Sequence, residues 1–158
     1  MKEIPLGRGF IAIIDDNDYG AVKNHNWWSS KNGQRVYAIS SENGKTVYMH
    51  RKIIAPEKGM HVDHIDGNGL NNSRKNLRIC TRSQNVRNAK KTLSKTTSLY
   101  KGVYFDKRVK LWSSDICVDR ERIRLGFFKN QEDAALAYNF AAIKHHGQFA
   151  RLNTAKSQ

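Results

Sequence analysis

The sequence predicts an α+β protein. An N-terminal β-rich unit holds a hairpin followed by a helix. A three-stranded antiparallel sheet packed on one C-terminal helix comes after it. Three observations lead there. Short β-branched and aromatic runs flank the turn segments 30–34 (SKNGQ) and 41–45 (SENGK), whose Asn-Gly pairs are a strong hairpin signal. Thr81 and Gln84 form a capping box that starts a helix. Between Asn130 and Gly147 the chain carries an N-cap, acidic Glu132 and Asp133 in the first turn, basic Lys144, His145 and His146 in the last, and a glycine stop.

In chain order, Phe10–Ile14 reads as a strand and Asp15–Asp18 as a turn or helix start. Trp27, Trp28, Val36–Ile39 and Thr46–Met49 read as short strands, with both tryptophans anchoring a small core. A strand ends on Asp63-His64, and Leu77–Cys80 returns beside it, Cys80 being a small core residue. Residues 88–99 are rich in Lys, Ser and Thr and lack acidic and aromatic residues, the composition of a linker. Gly102–Phe105, Trp112–Val118 and Ile123–Phe128 read as three strands. Ala134, Leu136, Ala137, Tyr138, Ala141 and Ala142 give the last helix a small-residue face toward them. The boundaries expected are 1–90 (a cap over 1–48 and the hairpin-helix motif over about 49–90), a linker over 91–98, and a second domain over 99–154.

Charge narrows the partners. The 28 Lys and Arg residues outnumber 14 Asp and Glu, giving a net charge of +14. Residues 1–92 carry 16 basic and 8 acidic side chains, and 93–158 carry 12 and 6, so both parts suit a phosphate backbone. No apolar run is long enough to cross a membrane. Phe10–Ile14 is too short for a signal sequence, and Cys80 and Cys117 form no close pair. The expectation is a cytoplasmic protein that binds nucleic acid and no membrane.

The chemistry sits in residues 61–85. The hairpin and the helix bring Asp63, His64 and Asn85 to one small cleft. Asp and Asn offer hard oxygen donors that suit Mg²⁺ or Mn²⁺ rather than Zn²⁺. A neighbouring His titrating near neutrality can take a proton from water. Together these are the parts for hydrolysing a phosphodiester.

Residues 62–85, VDHIDGNGLNNSRKNLRICTRSQN, resemble the HNH endonuclease signature of the phage and intron-homing type. The resemblance covers about 49–92. It implies a ββα-metal motif with His64 as general base, Asp63 and Asn85 as ligands of one divalent ion, and Asn76 pinning the loop. Asn85 stands where many members have His, which places the chain in the Asn-ending branch. Arg78, Arg82, Arg87 and Lys90 would grip phosphates near the cut. A single site implies a monomer that nicks double-stranded DNA in a phage-infected or bacterial cell.

Residues 99–153 resemble the plant ethylene-response-factor (APETALA-type) DNA-binding domain, through Tyr100-Lys-Gly-Val103, Trp112, Leu125-Gly-x-Phe128, the Ala-Ala-x-Ala-Tyr helix and the closing Ala-x-Leu-Asn. That resemblance implies a sheet lying in the major groove. The groove-facing candidates are Lys101, Tyr104, Lys107, Arg108, Trp112, Ser114, Arg122 and Arg124. Two other readings stay open on sequence alone: a non-catalytic DNA-binding regulator built on the same modules, and an RNA-binding protein.

Overall fold

The computed structural model describes residues 1–91 and 97–154. The chain divides into two compact units, Met1–Asn85 and Val86–Gln158. Most of the expected linker, residues 92–96, lies outside the described residues.

In the first unit, β1 (Lys2–Pro5) pairs antiparallel with β2 (Ile11–Ile14). β1 is unexpected from sequence, because its four residues include a charge at each of the first two positions and a proline. A short helical turn and α1 (Tyr19–Val22) come next. β3 (Trp28–Asn32), β4 (Arg35–Glu42) and β5 (Lys45–Tyr48) form an antiparallel meander. Asn43 and Gly44 both hold positive φ, at 51° and 72°, as a two-residue hairpin turn matching strand twist requires. The third strand ends at Tyr48, not Met49. Met49 begins α2 (Met49–Ile54), which buries Met49 and Ile53.

β6 (His61–His64) pairs antiparallel with β7 (Leu77–Cys80), and α3 (Arg82–Arg87) succeeds them. The capping box forms as its residues demand: the Thr81 amide donates to Gln84 Oε1 at 2.8 Å, and the Gln84 amide to Thr81 Oγ1 at 3.2 Å. The unit's core gathers Leu6, Ala12, Ile14, Val22, Ala38, Met49, Ile53, Val62 and Leu77. Trp27 packs against this core and donates Nε1 to the Val22 carbonyl at 2.9 Å. Trp28 departs from the expectation: it is 43% exposed, because neighbouring residues on β3 face opposite ways and Trp27 takes the inner side.

The loop between β6 and β7 is tied to the N-terminal hairpin. The Ile13 amide donates to the Leu70 carbonyl at 2.8 Å, and the Asn72 amide to the Ile13 carbonyl at 2.7 Å. Arg74 clips the same loop down. Its Nε and Nη2 reach the buried Asp18 carboxylate at 3.0 and 2.7 Å, and Nη2 also donates to the Ile53 carbonyl at 3.1 Å. Gly69 lies where a Cβ would fall on the Val36 carbonyl and 2.7 Å from the Tyr37 ring, so only glycine fits there.

In the second unit β8 (Val103–Asp106), β9 (Leu111–Val118) and β10 (Glu121–Phe128) form an antiparallel sheet in the order β10-β9-β8. α4 (Gln131–His146) covers one face. Asn130 Oδ1 accepts from the Asp133 amide at 2.8 Å, a cap that contributes about 1 kcal/mol. Ala134, Ala135, Tyr138, Ala141 and Ala142 are buried, so small residues do bring the helix close to the sheet. Leu136 is 54% exposed and is not part of that face. Asn153 closes the unit by bridging to the Lys101 backbone, accepting from its amide at 2.7 Å and donating to its carbonyl at 3.0 Å.

Candidate active site

The β6–β7 hairpin and α3 meet a wall formed by β4, β5 and α2. Between them lies a cleft of about 390 Å³ lined by Asp63, His64, Asn85, His50, Arg35, Arg51 and neighbours. The three residues expected to share a site do share it. Their approach follows from the ladder register: His64 pairs with Leu77 and Asp63 with Arg78, and the capped helix turns Asn85 back toward the hairpin.

His64 is buried, with 6% of its surface exposed. Its Nε2 lies 3.1 Å from Asn72 Oδ1. The Asn72 amide nitrogen faces the Leu70 carbonyl at 3.2 Å and the Met49 sulfur, which fixes the amide oxygen toward the imidazole. A carbonyl oxygen only accepts, so Nε2 carries the hydrogen and Nδ1 carries the basic lone pair. Burial, opposed by this hydrogen bond, holds the His64 pKa below its usual value. The ring is therefore neutral near pH 7, the form a base needs.

Asn76 holds the loop beyond β6. Its Nδ2 donates to Asp66 Oδ1 at 3.0 Å and to the Asn71 carbonyl at 2.8 Å, while its Oδ1 accepts from the Asp66 amide at 3.0 Å. It pins backbone, and the cleft is lined by other residues. Asp63 is nearly fully buried and its Oδ2 accepts from Arg78 Nε at 3.0 Å and Nη2 at 2.7 Å. Arg78 is thus a correction: its charge is taken by Asp63, and its side chain is only 13% exposed. Among the described residues no group of three or more His, Cys, Asp and Glu side chains gathers where it could hold a metal ion. The cleft's oxygen donors are one carboxylate and one amide, which leaves most of a hard ion's shell to water and phosphate.

Sequence reasoning missed part of the site. Asn72 sets the tautomer of His64, and its signal was the Asn-Asn pair in the loop. Tyr37, Tyr48 and His50 form an aromatic wall, with the His50 and His64 rings edge to face at 4.9 Å. Arg35 and Tyr37 lie two apart on one face of an expected strand, but which face met a cleft was not written locally. His50 is 7% exposed and its Nδ1 has no hydrogen-bond partner. Burial, then the nearby His64 and Arg51, push its pKa down to about 3.

That depression has a measurable consequence. The unfolded imidazole protonates near its ordinary value while the folded one resists, so stability is intact above pH 6.5 and falls toward pH 3. Between pH 6.5 and 5.0 His50 alone should cost about 2 kcal/mol. Urea unfolding at pH 7 and pH 5 checks this. The His50→Phe variant should show a flatter dependence.

The remaining expected contacts sort by face. Arg82 and Lys90 are exposed. Arg87 pairs with Asp119 at 3.0 Å. Lys107 and Arg108 are exposed on the β8–β9 turn. On the sheet face away from α4, Tyr104, Arg122 and Arg124 surround the buried Asp115. Arg122 pairs with Asp115, Arg124 Nε lies 3.6 Å from it, and Arg124 Nη2 donates to the Tyr104 hydroxyl at 3.3 Å. Three candidates leave this face. Trp112 and Ser114 share strand parity with Ile116, whose side chain is buried against α4, so both point under the helix. Trp112 packs with Phe105 at 5.2 Å, and Ser114 has no exposed surface. Lys101 donates Nζ to the Arg87 and Ala89 carbonyls at 2.5 and 2.8 Å, which makes it a backbone tie. Lys91 does the same for Tyr100 and Val103, at 2.7 and 2.8 Å.

Comparisons with known proteins agree with this geometry. The HNH endonuclease family model matches residues 47–87, the stretch from β5 to α3. A protein of Acanthamoeba polyphaga mimivirus named an uncharacterized HNH endonuclease is 30% identical over 153 residues, covering 93% of this chain and 76% of that protein. Protein 3.8 of Escherichia phage T7 is 34% identical over 95 residues, covering 60% of this chain and 77% of its own length. With Asp63, His64 and Asn85 around one cleft and a viral relative matched along nearly the whole of this chain, the chain belongs to the HNH endonuclease family and is a DNA-hydrolysing enzyme.

Proposed function

We propose that this endonuclease acts as a monomer on double-stranded DNA, breaking one strand per binding event, with His64 as general base and Asp63 and Asn85 as the seat of one Mg²⁺ or Mn²⁺ ion. The observation that carries the reading is the fixed tautomer of His64 inside the cleft that Asp63 and Asn85 also line. His64 Nδ1 takes the proton of the attacking water. Asn72 keeps the ring oriented and shares the positive charge that the imidazole gains. Asn76 holds the Asp66 turn, so the strand end that carries His64 does not drift. Arg78 keeps the Asp63 carboxylate ionised and aimed. An ion held there supplies charge stabilisation to the phosphate and the departing 3′ oxygen.

The second unit's part is to hold the duplex. Arg122, Arg124 and Tyr104 are pre-ordered around Asp115 on an open sheet face, and a sheet of this size fits the major groove. Lys107, Arg108, Arg82, Arg87 and Lys90 add basic charge for the backbone. The resemblance to the ethylene-response-factor domain supports this reading.

Supercoiled plasmid tests it. With Mg²⁺ or Mn²⁺, nicked circles should accumulate before linear DNA, and EDTA should stop the reaction. The Asp63→Ala and Asn85→Ala variants should lose cutting and keep binding. The double variant Arg122→Ala, Arg124→Ala should bind more weakly and with a shallower salt dependence. Linear DNA as the first product would overturn the single-strand reading. Cutting that survives EDTA would overturn the metal.

A further inference from the structure

The cleft carries two arginines that the family signature does not contain. Arg35 comes from β4 and Arg51 from α2, and both line the space around His64 and Asn85. Neither has a carboxylate partner among the described residues, whereas Arg78 is held by Asp63. The two are not equivalent. Arg51 is anchored through Nη1 to the Met60 carbonyl at 3.0 Å. Arg35 makes one long side-chain contact, Nη1 to the Tyr37 hydroxyl at 3.4 Å. Its donors are therefore largely unused by the protein, and its charge is half-buried without a counter-ion.

A half-buried guanidinium without an acid costs desolvation energy unless an anion arrives to meet it. The anion that enters this cleft, on the reading proposed above, is a DNA phosphate. Arg35 also faces the reacting end of the cleft. After burial, the chief cause, its charge is among those that hold His64 low. A planar fork of N–H donors matches two non-bridging phosphate oxygens, and such donors act most where negative charge grows in the transition state.

We infer that Arg35 grips the scissile phosphate, donating to its non-bridging oxygens and stabilising the charge that builds there as water attacks. The inference rests on His64 being the base of this cleft. It makes Arg35 a catalytic residue supplied by the N-terminal sheet, outside the hairpin-helix motif. The surface arginines of the second unit would serve affinity, and Arg35 the chemical step.

The test is single-turnover cleavage of supercoiled plasmid by the full chain at saturating protein, with Mn²⁺, beside the dissociation constant for the same DNA. Arg35→Ala and Arg35→Met (which keeps the apolar stem) are compared with wild type, His64→Ala and an exposed control, Lys107→Ala. The expected result is a rate loss of about 10²–10³-fold for both Arg35 variants, with affinity changed by less than about threefold. Guanidinium ion added to Arg35→Ala should restore part of the rate and should do nothing for His64→Ala. Unchanged thermal unfolding of Arg35→Met keeps the comparison fair if Arg35→Ala folds poorly. A full rate with Arg35 removed, or a loss that vanishes at saturating protein, would overturn the role of Arg35 while His64→Ala remained inactive. Cutting by His64→Ala would instead overturn the reading of the cleft on which it rests.

Discussion

The His64→Ala substitution should slow cleavage by about 10²–10⁴-fold near neutral pH and leave DNA affinity close to that of the wild type. The rate loss comes from the ring's state. Burial keeps it neutral, and the bond to Asn72 puts its hydrogen on Nε2, so Nδ1 offers a lone pair to water. The unchanged affinity comes from position. His64 is 6% exposed and carries no charge when neutral, so it contributes little to holding a polyanion. Single-turnover plasmid cleavage and fluorescence anisotropy measure the two quantities separately. The Asn72→Leu variant is the companion. It keeps the imidazole and removes the acceptor that orients it, so its loss should be smaller but real. A His64→Ala protein that cuts within about tenfold of wild type would place the base elsewhere.

The Gly102→Ala substitution should unfold the second unit selectively. Gly102 has φ +76°, a conformation that costs a side-chain-bearing residue about 1 kcal/mol. A Cβ there would also fall on the Tyr138 ring and lie 2.6 Å from the Asp115 carbonyl. Tyr138 is buried in the core beneath α4, and the Gly102 carbonyl accepts from the Asp115 amide at 2.8 Å, so neither neighbour can yield. Overpacking adds about 1–3 kcal/mol, for a total near 2–4 kcal/mol. Differential scanning calorimetry should show one unfolding transition displaced downward and the other unmoved. Duplex affinity should fall with it. An unchanged calorimetric trace would show that Tyr138 has room to move.

Much of this is legible in the sequence, because the informative residues act locally. Asn130 and Gly147 bound α4 as caps do, and Thr81 with Gln84 opens α3 by a reciprocal bond that spans one turn. The hairpin holding Asp63 and His64 is legible for the same reason. The features that escape depend on residues far apart in the chain. Trp28 and Trp27 look alike in composition, and only the packed sheet decides which is covered. Sequence alone sets Trp112 and Ser114 on the wrong face. Parity can be counted along a strand, but which parity meets the helix is fixed by Ile116 and Tyr138. Arg78 reads as a phosphate contact because its partner Asp63 is 15 residues away. His50, Arg35 and Tyr37 reach the cleft from elements outside the hairpin-helix stretch in which the motif is recognised.

The loop stitched to Ile13 and clipped by Asp18 bears on how such enzymes can be recombined. The family signature spans 47–87, but the strand, acid and arginine that complete it lie within the first 37 residues. A crossover near residue 47, in the laboratory or in a viral genome, would hand the hairpin to a foreign hairpin and sheet, and would separate His64 from the wall it was selected with. A crossover at Asn85–Val86 keeps the cutting unit whole and exchanges only the second unit. Chimeras of this lineage that still cut should therefore carry their joints late in the sequence, with new target preference acquired by replacing the second unit and the first inherited intact.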